Sequence, residues 1–230
     1  MLETRAESFL CDSRLLAVAA HPNGAAAEKA LDGAVREMAR VAALLDLRDP
    51  ASPASVFFAG KKREGLCEDL EDALAQAQSI QQALGDALVG NVRRTEGFML
   101  EGMAAGYVLD AGALFLQKQG IRGALLGFRG AFRALGNRRG GRPWEVEAIH
   151  LTKDRPALAV LPAEDAKWFA PAASMPGGRI AVLGPNAACA RALAHAAISS
   201  GSGRVMDLAG RMAGVECRTL AGKGTCRLSL

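Results

Sequence analysis

Arg191 and His195 stand four residues apart in A-A-C-A-R-A-L-A-H-A-A, a stretch whose spacing predicts a helix, so both side chains share one face. A guanidinium there can grip a phosphate through its planar, bidentate fork, or simply pair with a surface carboxylate. His195, alone on an alanine-rich helix, reads as a satisfied, half-buried histidine rather than a base. A second set of cations, Arg122, Arg129, Arg133, Arg138, Arg139 and Arg142, lies in a glycine-rich segment with no acid between Gly112 and Trp144. That segment reads either as a surface for a phosphorylated ligand or as a solvated loop. Gly201-Ser202-Gly203 precedes a predicted helix and can offer N–H groups to an anion, although a linker turn is the simpler reading. His21 in a turn and His150 at a strand end are expected to lack an acid partner. No Ser/His/Asp or Cys/His arrangement is legible.

Composition narrows the function classes. The net charge of +4 is too small to argue for nucleic acid. Trp144 and Trp168 read as core or lid residues, because no basic–aromatic alternation surrounds them. Five cysteines, an odd number without C-x-x-C spacing, argue against a disulfide framework or a zinc site. No apolar run reaches the length expected of a membrane span. The N-terminus M-L-E-T-R-A-E-S-F-L is too acidic for a secretory signal, so a cytoplasmic chain is expected unless an export signal has been removed.

The elements that must position these residues follow from periodicity. Residues 10–20 read as a strand and His21–Gly24 as a turn. Ala25–Leu47 repeats apolar residues at helical spacing, with Asn23 as N-cap. Asp49–Ser55 reads as loop. Leu66–Leu84 and Gly102–Gln119 read as helices. From Gly123 onward, short strands alternate with glycine-rich turns: A-L-L-G-F, A-F-R-A-L, W-E-V-E-A-I, A-L-A-V-L and R-I-A-V-L. Helices are expected over Asn186–Ile198 and Arg204–Met212. Two closing strands, V-E-C-R-T-L and T-C-R-L-S-L, flank Gly222-Lys223-Gly224. The pattern is α+β, a mostly antiparallel sheet with helices packed on it. A single domain over 1–230 accounts for the length, with a helix-rich part to about residue 122 and a strand-rich part from 123.

M-L-E-G-M-A-A-G-Y-V-L-D, from Met99 to Asp110, resembles the D-L-G-G-x-A-K-G-Y-x-x-D signature of the ApbE family, the FAD:protein FMN transferases. Gly102, Ala104, Gly106, Tyr107 and Asp110 fit it; Met99 fills the leading aspartate slot and Ala105 the lysine slot. The resemblance is collinear elsewhere. F-L-C-D-S sits where the family opens with an M-G-T strand. D-P-A-S-P-A-S resembles D-P-x-S-E-x-S-x-x-N, with Pro53 and Phe58 in the glutamate and asparagine slots. L-G-D-A-L-V-G-N-V looks like an eroded T-G-G-A-F-D-P-T-V. G-F-R-G-A-F-R-A-L-G followed by R-P-W-E-V resembles N-x-G-G-D-I-x-A-x-G with its P-W-x-V. A-V-L-G-P-N-A-A-C-A-R-A-L-A-H-A-A resembles V-V-A-P-x-A-x-x-A-D-A-L-A-T-A. The family's H-x-x-D-P-x-T-G loop has no counterpart; A-K-W-F-A-P-A-A-S-M-P-G-G stands in its place.

The resemblance implies an ApbE-like, T-fold-like domain and a flavin nucleotide, FAD or FMN, as ligand. It implies ligand-facing roles for Gly102, Ala104, Gly106, Tyr107, Asp110, Arg129, Gly130 and Arg191. Tyr107 is expected to pack the helix start beside the cleft. In the family the aspartate and threonine of A-D-A-L-A-T hold magnesium; here those slots are Arg191 and His195, so no metal site and no magnesium are expected. With Ala105 in the lysine slot and Arg129-Gly130-Ala131 in the G-G-D turn, the resemblance implies a degenerate transferase that binds a flavin nucleotide or a protein partner. An active transferase with relocated ligands and a structural subunit with a filled cleft are the alternatives.

Overall fold

The computed structural model describes residues 2–10, 13–60, 66–84, 96–162, 179–200, 207 and 212–220. Alternation along its strands explains the layering. In β2 (Ser13–His21), Leu15, Ala17 and Ala19 point to one side and Leu16, Val18 and Ala20 to the other, and all are buried. A strand apolar on both faces needs a covering layer on each. β3 (Ala124–Phe128), β4 (Ala131–Leu135), β7 (Ala157–Pro162) and β8 (Arg179–Gly184) repeat the pattern. With β1 (Leu2–Leu10) and β9 (Glu216–Leu220) they form a seven-stranded antiparallel sheet in the order β1-β2-β3-β4-β7-β8-β9. β2 bonds directly to β3, so one sheet runs through both sides of residue 122.

Helices cover one face: α1 (Gly24–Leu45), α2 (Pro53–Gly60), α3 (Glu68–Leu84), α4 (Glu96–Lys118) and α5 (Ala187–Ser200). The other face is closed by a small hairpin, β5 (Trp144–Val146) with β6 (Ile149–Leu151). Trp144, Val146, Ile149 and Leu151 pack there on Leu16, Val18, Phe132, Leu158 and Val160. The Trp144 indole N–H donates to the Leu135 carbonyl at 3.2 Å, which satisfies its polar atom in the core.

Local signals account for the helices. Asn23 caps α1, its Oδ1 accepting from the Ala26 N–H at 3.1 Å. Ala27, Leu31, Ala34, Met38, Val41 and Leu45 form the buried stripe. The expected loop through Ser55 is instead the start of α2: Ser52 accepts from the Ser55 N–H at 3.1 Å, and Pro53 holds the first helical position, where its missing N–H costs nothing.

Several other expectations are corrected. β1 precedes the expected first strand and pairs with β2. α4 begins near Glu96 rather than Gly102. W-E-V-E-A-I is two strands, turned at Glu147 and Ala148 with φ of 55° and 59°. Such a turn matches the twist of paired strands but normally takes Asn or Gly. Glu147 is held there by Arg179, whose Nη1 donates to Oε1 at 2.9 Å. Met99–Lys118 is, by length and composition, apolar enough to cross a membrane, against expectation. Most of that stretch is buried, and α1, α3, α5, β3 and β4 pack around it. The expected helix over Arg204–Met212, the T-C-R-L-S-L strand, Gly201–Gly203, Trp168 and the 166–178 loop lie wholly or largely outside the described residues.

Candidate functional site

Gly102, Gly106 and Asp110 recur every fourth residue of α4 and face α5. A Cβ on Gly106 would stand 2.0 Å from the Ala187 carbonyl oxygen, so the glycine is what lets α5 begin against α4. A Cβ on Gly102 would meet the His195 ring at 2.7 Å. Below them, Asp110 Oδ1 accepts from the Ala187 N–H at 3.0 Å and Oδ2 from the Ala188 N–H at 2.9 Å. Asn186 Oδ1 accepts from Cys189 N–H at 2.7 Å, completing the cap. Arg133, an inward position of β4, brings Nε to 3.1 Å from Asp110 Oδ1 and donates from Nη1 to the Pro185 carbonyl at 3.2 Å. A helix N-terminus is a natural anion site; here the anion is the chain's own Asp110. Burial raises the Asp110 carboxyl above its ordinary range, against the pull of the two amides and Arg133.

A cleft of about 240 Å³ opens on the other side of α4. Ala104, Ala105, Glu101 and Val108 line one wall, Ala42, Leu45, Asp46, Leu47 and Arg48 at the end of α1 another, and Phe128 with Arg129 the third. The β3–β4 turn that carries Arg129 has two left-handed residues, Arg129 (φ 48°) and Gly130 (φ 73°). Gly130 must be glycine for a second reason: its Cβ would lie 2.5 Å from the Val160 carbonyl. Arg129 donates from Nε to Ser13 Oγ at 3.0 Å and lies 5.2 Å from the Phe128 ring centre. Asp46 accepts from Arg48, which holds its carboxyl below the usual range, with Arg129 contributing to the same field.

The expected site residues therefore separate. Ala104, Ala105 and Arg129 meet at the cleft, with Gly130 in the turn beneath. Gly102, Gly106, Asp110 and His195 belong to the α4–α5 seam. Arg191 lies on α5, its Nε and Nη1 shielded from solvent, and is not among the residues lining the cleft. Tyr107 packs away from both: its hydroxyl donates to the Asp69 carbonyl of α3 at 3.1 Å, and burial pushes its ionisation up to about 12. The basic segment is dispersed as well. Arg133 points inward to Asp110, while Arg138 pairs with Glu3 and stands 5.6 Å from the Trp144 ring. Arg122, Arg139 and Arg142 are exposed. Asp46, Arg48 and Glu101 escaped the sequence reading; an acid and a base at the end of a long helix carried no family signature.

Burial, and secondarily Arg191, lower the His195 imidazole from 6.5 to about 4. The sign follows. The unfolded chain protonates near 6.5 while the folded chain stays neutral until about 4, so stability is lost as pH falls between those values. At about 1.4 kcal/mol per tenfold in proton affinity, the loss reaches at most about 3 kcal/mol. Subtracting the stability–pH curve of His195→Gln from that of the native chain should isolate this slope; equal slopes below pH 6.5 would show a histidine that protonates freely in the fold.

Among the described residues, no three His, Cys, Asp or Glu side chains gather as a metal-binding group. Cys67, Cys189 and Cys217 are free thiols, and burial pushes Cys189 up to about 11.

The architecture is that of the ApbE flavin transferases. A mutant of the flavin transferase ApbE from Vibrio cholerae superposes with a TM-score of 0.72 at 14% identity, covering 96% of this chain and 94% of that one. The apo Pseudomonas stutzeri flavinyl transferase ApbE gives 0.72 at 14% identity, covering 99% and 94%. The ApbE protein of Thermotoga maritima gives 0.68 at 15% identity, covering 99% and 97%. The sequence profile of the ApbE family matches residues 92–170. No curated protein matches the chain.

Proposed function

We propose that this chain is a degenerate ApbE-like protein that keeps the transferase scaffold and does not transfer FMN. One observation carries the reading. Of the five signature residues it retains, Gly102, Gly106 and Asp110 seat α5 on α4, Tyr107 packs on α3 and Ala104 lines the cleft, whereas the lysine slot that opens on the cleft is Ala105. Flavin transfer needs a cation on the pyrophosphate as AMP leaves. The slots that would hold magnesium carry Arg191 and His195. A guanidinium cannot ligate a metal, and a hard cation prefers oxygen to imidazole, so this donor set does not fit magnesium.

A flavin nucleotide is the ligand class we assign to the cleft, because Ala104 and Arg129, which the resemblance makes ligand-facing, line it beside Ala105 in the lysine slot. Its volume of about 240 Å³ is below the roughly 300–1,000 Å³ of ordinary small-molecule sites, which suits a phosphate-bearing fragment better than a whole dinucleotide. Arg129 supplies the phosphate contact, and Arg191, expected from the sequence to share that role, lies outside the cleft lining.

The test is an FAD and FMN titration followed by flavin fluorescence and calorimetry, with magnesium and then with excess EDTA, beside an AMP-release assay on a threonine-bearing acceptor. Saturable binding that survives EDTA and weakens in Arg129→Ala is expected, with no AMP release. Magnesium-dependent AMP release would establish the enzyme instead. Absence of binding in both conditions would leave a structural subunit whose partner is a protein.

A further inference from the structure

β1 is the terminal strand of the sheet, bonded to β2 on one side, and among the described residues nothing pairs with its other side. A bare edge is a template for another strand. Two of the four exposed large hydrophobic side chains among the described residues lie on it, Leu2 at 56% and Phe9 at 80% exposure. Its sequence, L-E-T-R-A-E-S-F-L, is also complementary to itself when reversed.

In an antiparallel pair, opposite residues share a face. A two-fold axis normal to the sheet preserves the faces, so odd positions meet odd and even meet even. Centring the axis on Ala6 pairs all nine residues of β1. It sets Arg5 opposite Glu7 of the second copy twice over, Thr4 opposite Ser8, and Leu2 opposite Leu10. Centring it on Arg5 or Glu7 opposes like charges, which is destabilising; centring it on Thr4 leaves Glu7 to Leu10 without partners. The one register that uses the whole strand is thus also the one that opposes Arg5 to Glu7, which adds to the pairs Glu7 makes with Arg5 and Arg14 of its own chain, and it leaves Glu3 opposite Phe9. The faces agree as well. Ala6 and Leu10 already pack on the helix-side core and Leu2 lies near Gly24 of α1, so the Leu2–Leu10 pairs continue that core across the seam.

We propose that the outer edge of β1 binds the same edge of a second copy of this chain, with Ala6 on the two-fold axis, joining two seven-stranded sheets into one. The interface is isologous, so it closes at two copies and leaves no free β1 edge to propagate. Leu2 and Phe9 are covered at the seam, and Arg5 and Glu7 alternate across it as a four-charge row.

Sedimentation velocity over a wide concentration range tests this. The native chain is expected to reach twice its 24.0 kDa. Arg5→Glu and Glu7→Arg should each sediment as monomers, and the double variant, which restores opposite charges in the same register, should recover the dimer. Both side chains are exposed, so folding of the single variants is checked by circular dichroism. Independently, Ala6→Cys should give an intermolecular disulfide under mild oxidation, compared with the native chain treated alike, because directly opposite Cβ atoms approach to about 5 Å. Thr4→Cys, which faces Ser8 of the second copy, should give none. A native chain that stays monomeric throughout, or a dimer indifferent to both charge reversals and not cross-linked through position 6, would overturn the proposal.

Discussion

Asp110→Ala should destabilise the fold by about 3 kcal/mol, the range for breaking one partner of a shielded ion pair. The substitution strands two donors, the Ala187 and Ala188 amides at 3.0 and 2.9 Å, and removes the carboxylate that pairs with Arg133, whose Nε lies 3.1 Å away. It also leaves the Arg133 cation facing the positive end of α5, where an anion had balanced it. Asp110→Asn retains an acceptor but removes the charge, and should cost about 1–2 kcal/mol. Equilibrium urea unfolding of the three proteins checks both steps. An Asp110→Ala loss no larger than that of an ordinary helix cap, about 1 kcal/mol, would mean that α5 is seated by packing alone and that Asp110 is available to a ligand.

Gly106→Ala should be comparably damaging for a different reason. In an exposed helix the change would gain about 1 kcal/mol through propensity. Here the new Cβ would sit 2.0 Å from the Ala187 oxygen, 2.3 Å from its carbonyl carbon and 2.6 Å from the Ala188 nitrogen. These are backbone atoms in the first turn of α5, so no rotamer change relieves them and the helices must separate. Overpacking of this kind costs about 1–3 kcal/mol and more where backbone must move; we expect about 3 kcal/mol net. Gly60→Ala, with nothing within 4 Å of its Cβ, is the control and should be neutral or stabilising. Gly102→Ala should fall between them, since the obstacle is the His195 side chain. Because Gly106 and Asp110 both act through the start of α5, the double variant should lose less than the sum of the single losses. A Gly106→Ala protein as stable as the native chain would show that α5 tolerates displacement and that its seat on α4 is not what preserved the glycine.

These two residues bear on the functional reading. Both belong to the signature resembling that of the flavin transferases, yet in this structure their contacts are internal. Packing alone thus accounts for their place in the chain. Ala105, by contrast, lines the cleft, as does the left-handed Arg129, which brings a long cation to a turn better suited to glycine.

Local periodicity made much of the fold legible. The buried stripe of α1 and its Asn23 cap, the face of α3, and the strands around Leu125, Phe132, Leu158 and Val182 are all written in spacings shorter than eight residues. The collinear motifs added the family likeness over the length that the structural superpositions cover. What the sequence could not settle depends on contacts between distant segments. β1 reads as a polar, charged stretch because its inward side chains are small; pairing with β2 makes it a strand. Glu147 and Ala148 carry no turn signal, and their left-handed conformations are imposed by the hairpin they close and by Arg179. Arg133 sits in a run of arginines that looks like one basic surface, but strand alternation turns it inward while Arg138 reaches Glu3. Asp110 caps a helix that begins 77 residues later, a distance at which no spacing rule operates. The sequence thus determined which elements form, because their period is local; only the tertiary structure decided which polar groups meet, because that depends on strand order and on how closely α4 and α5 can cross.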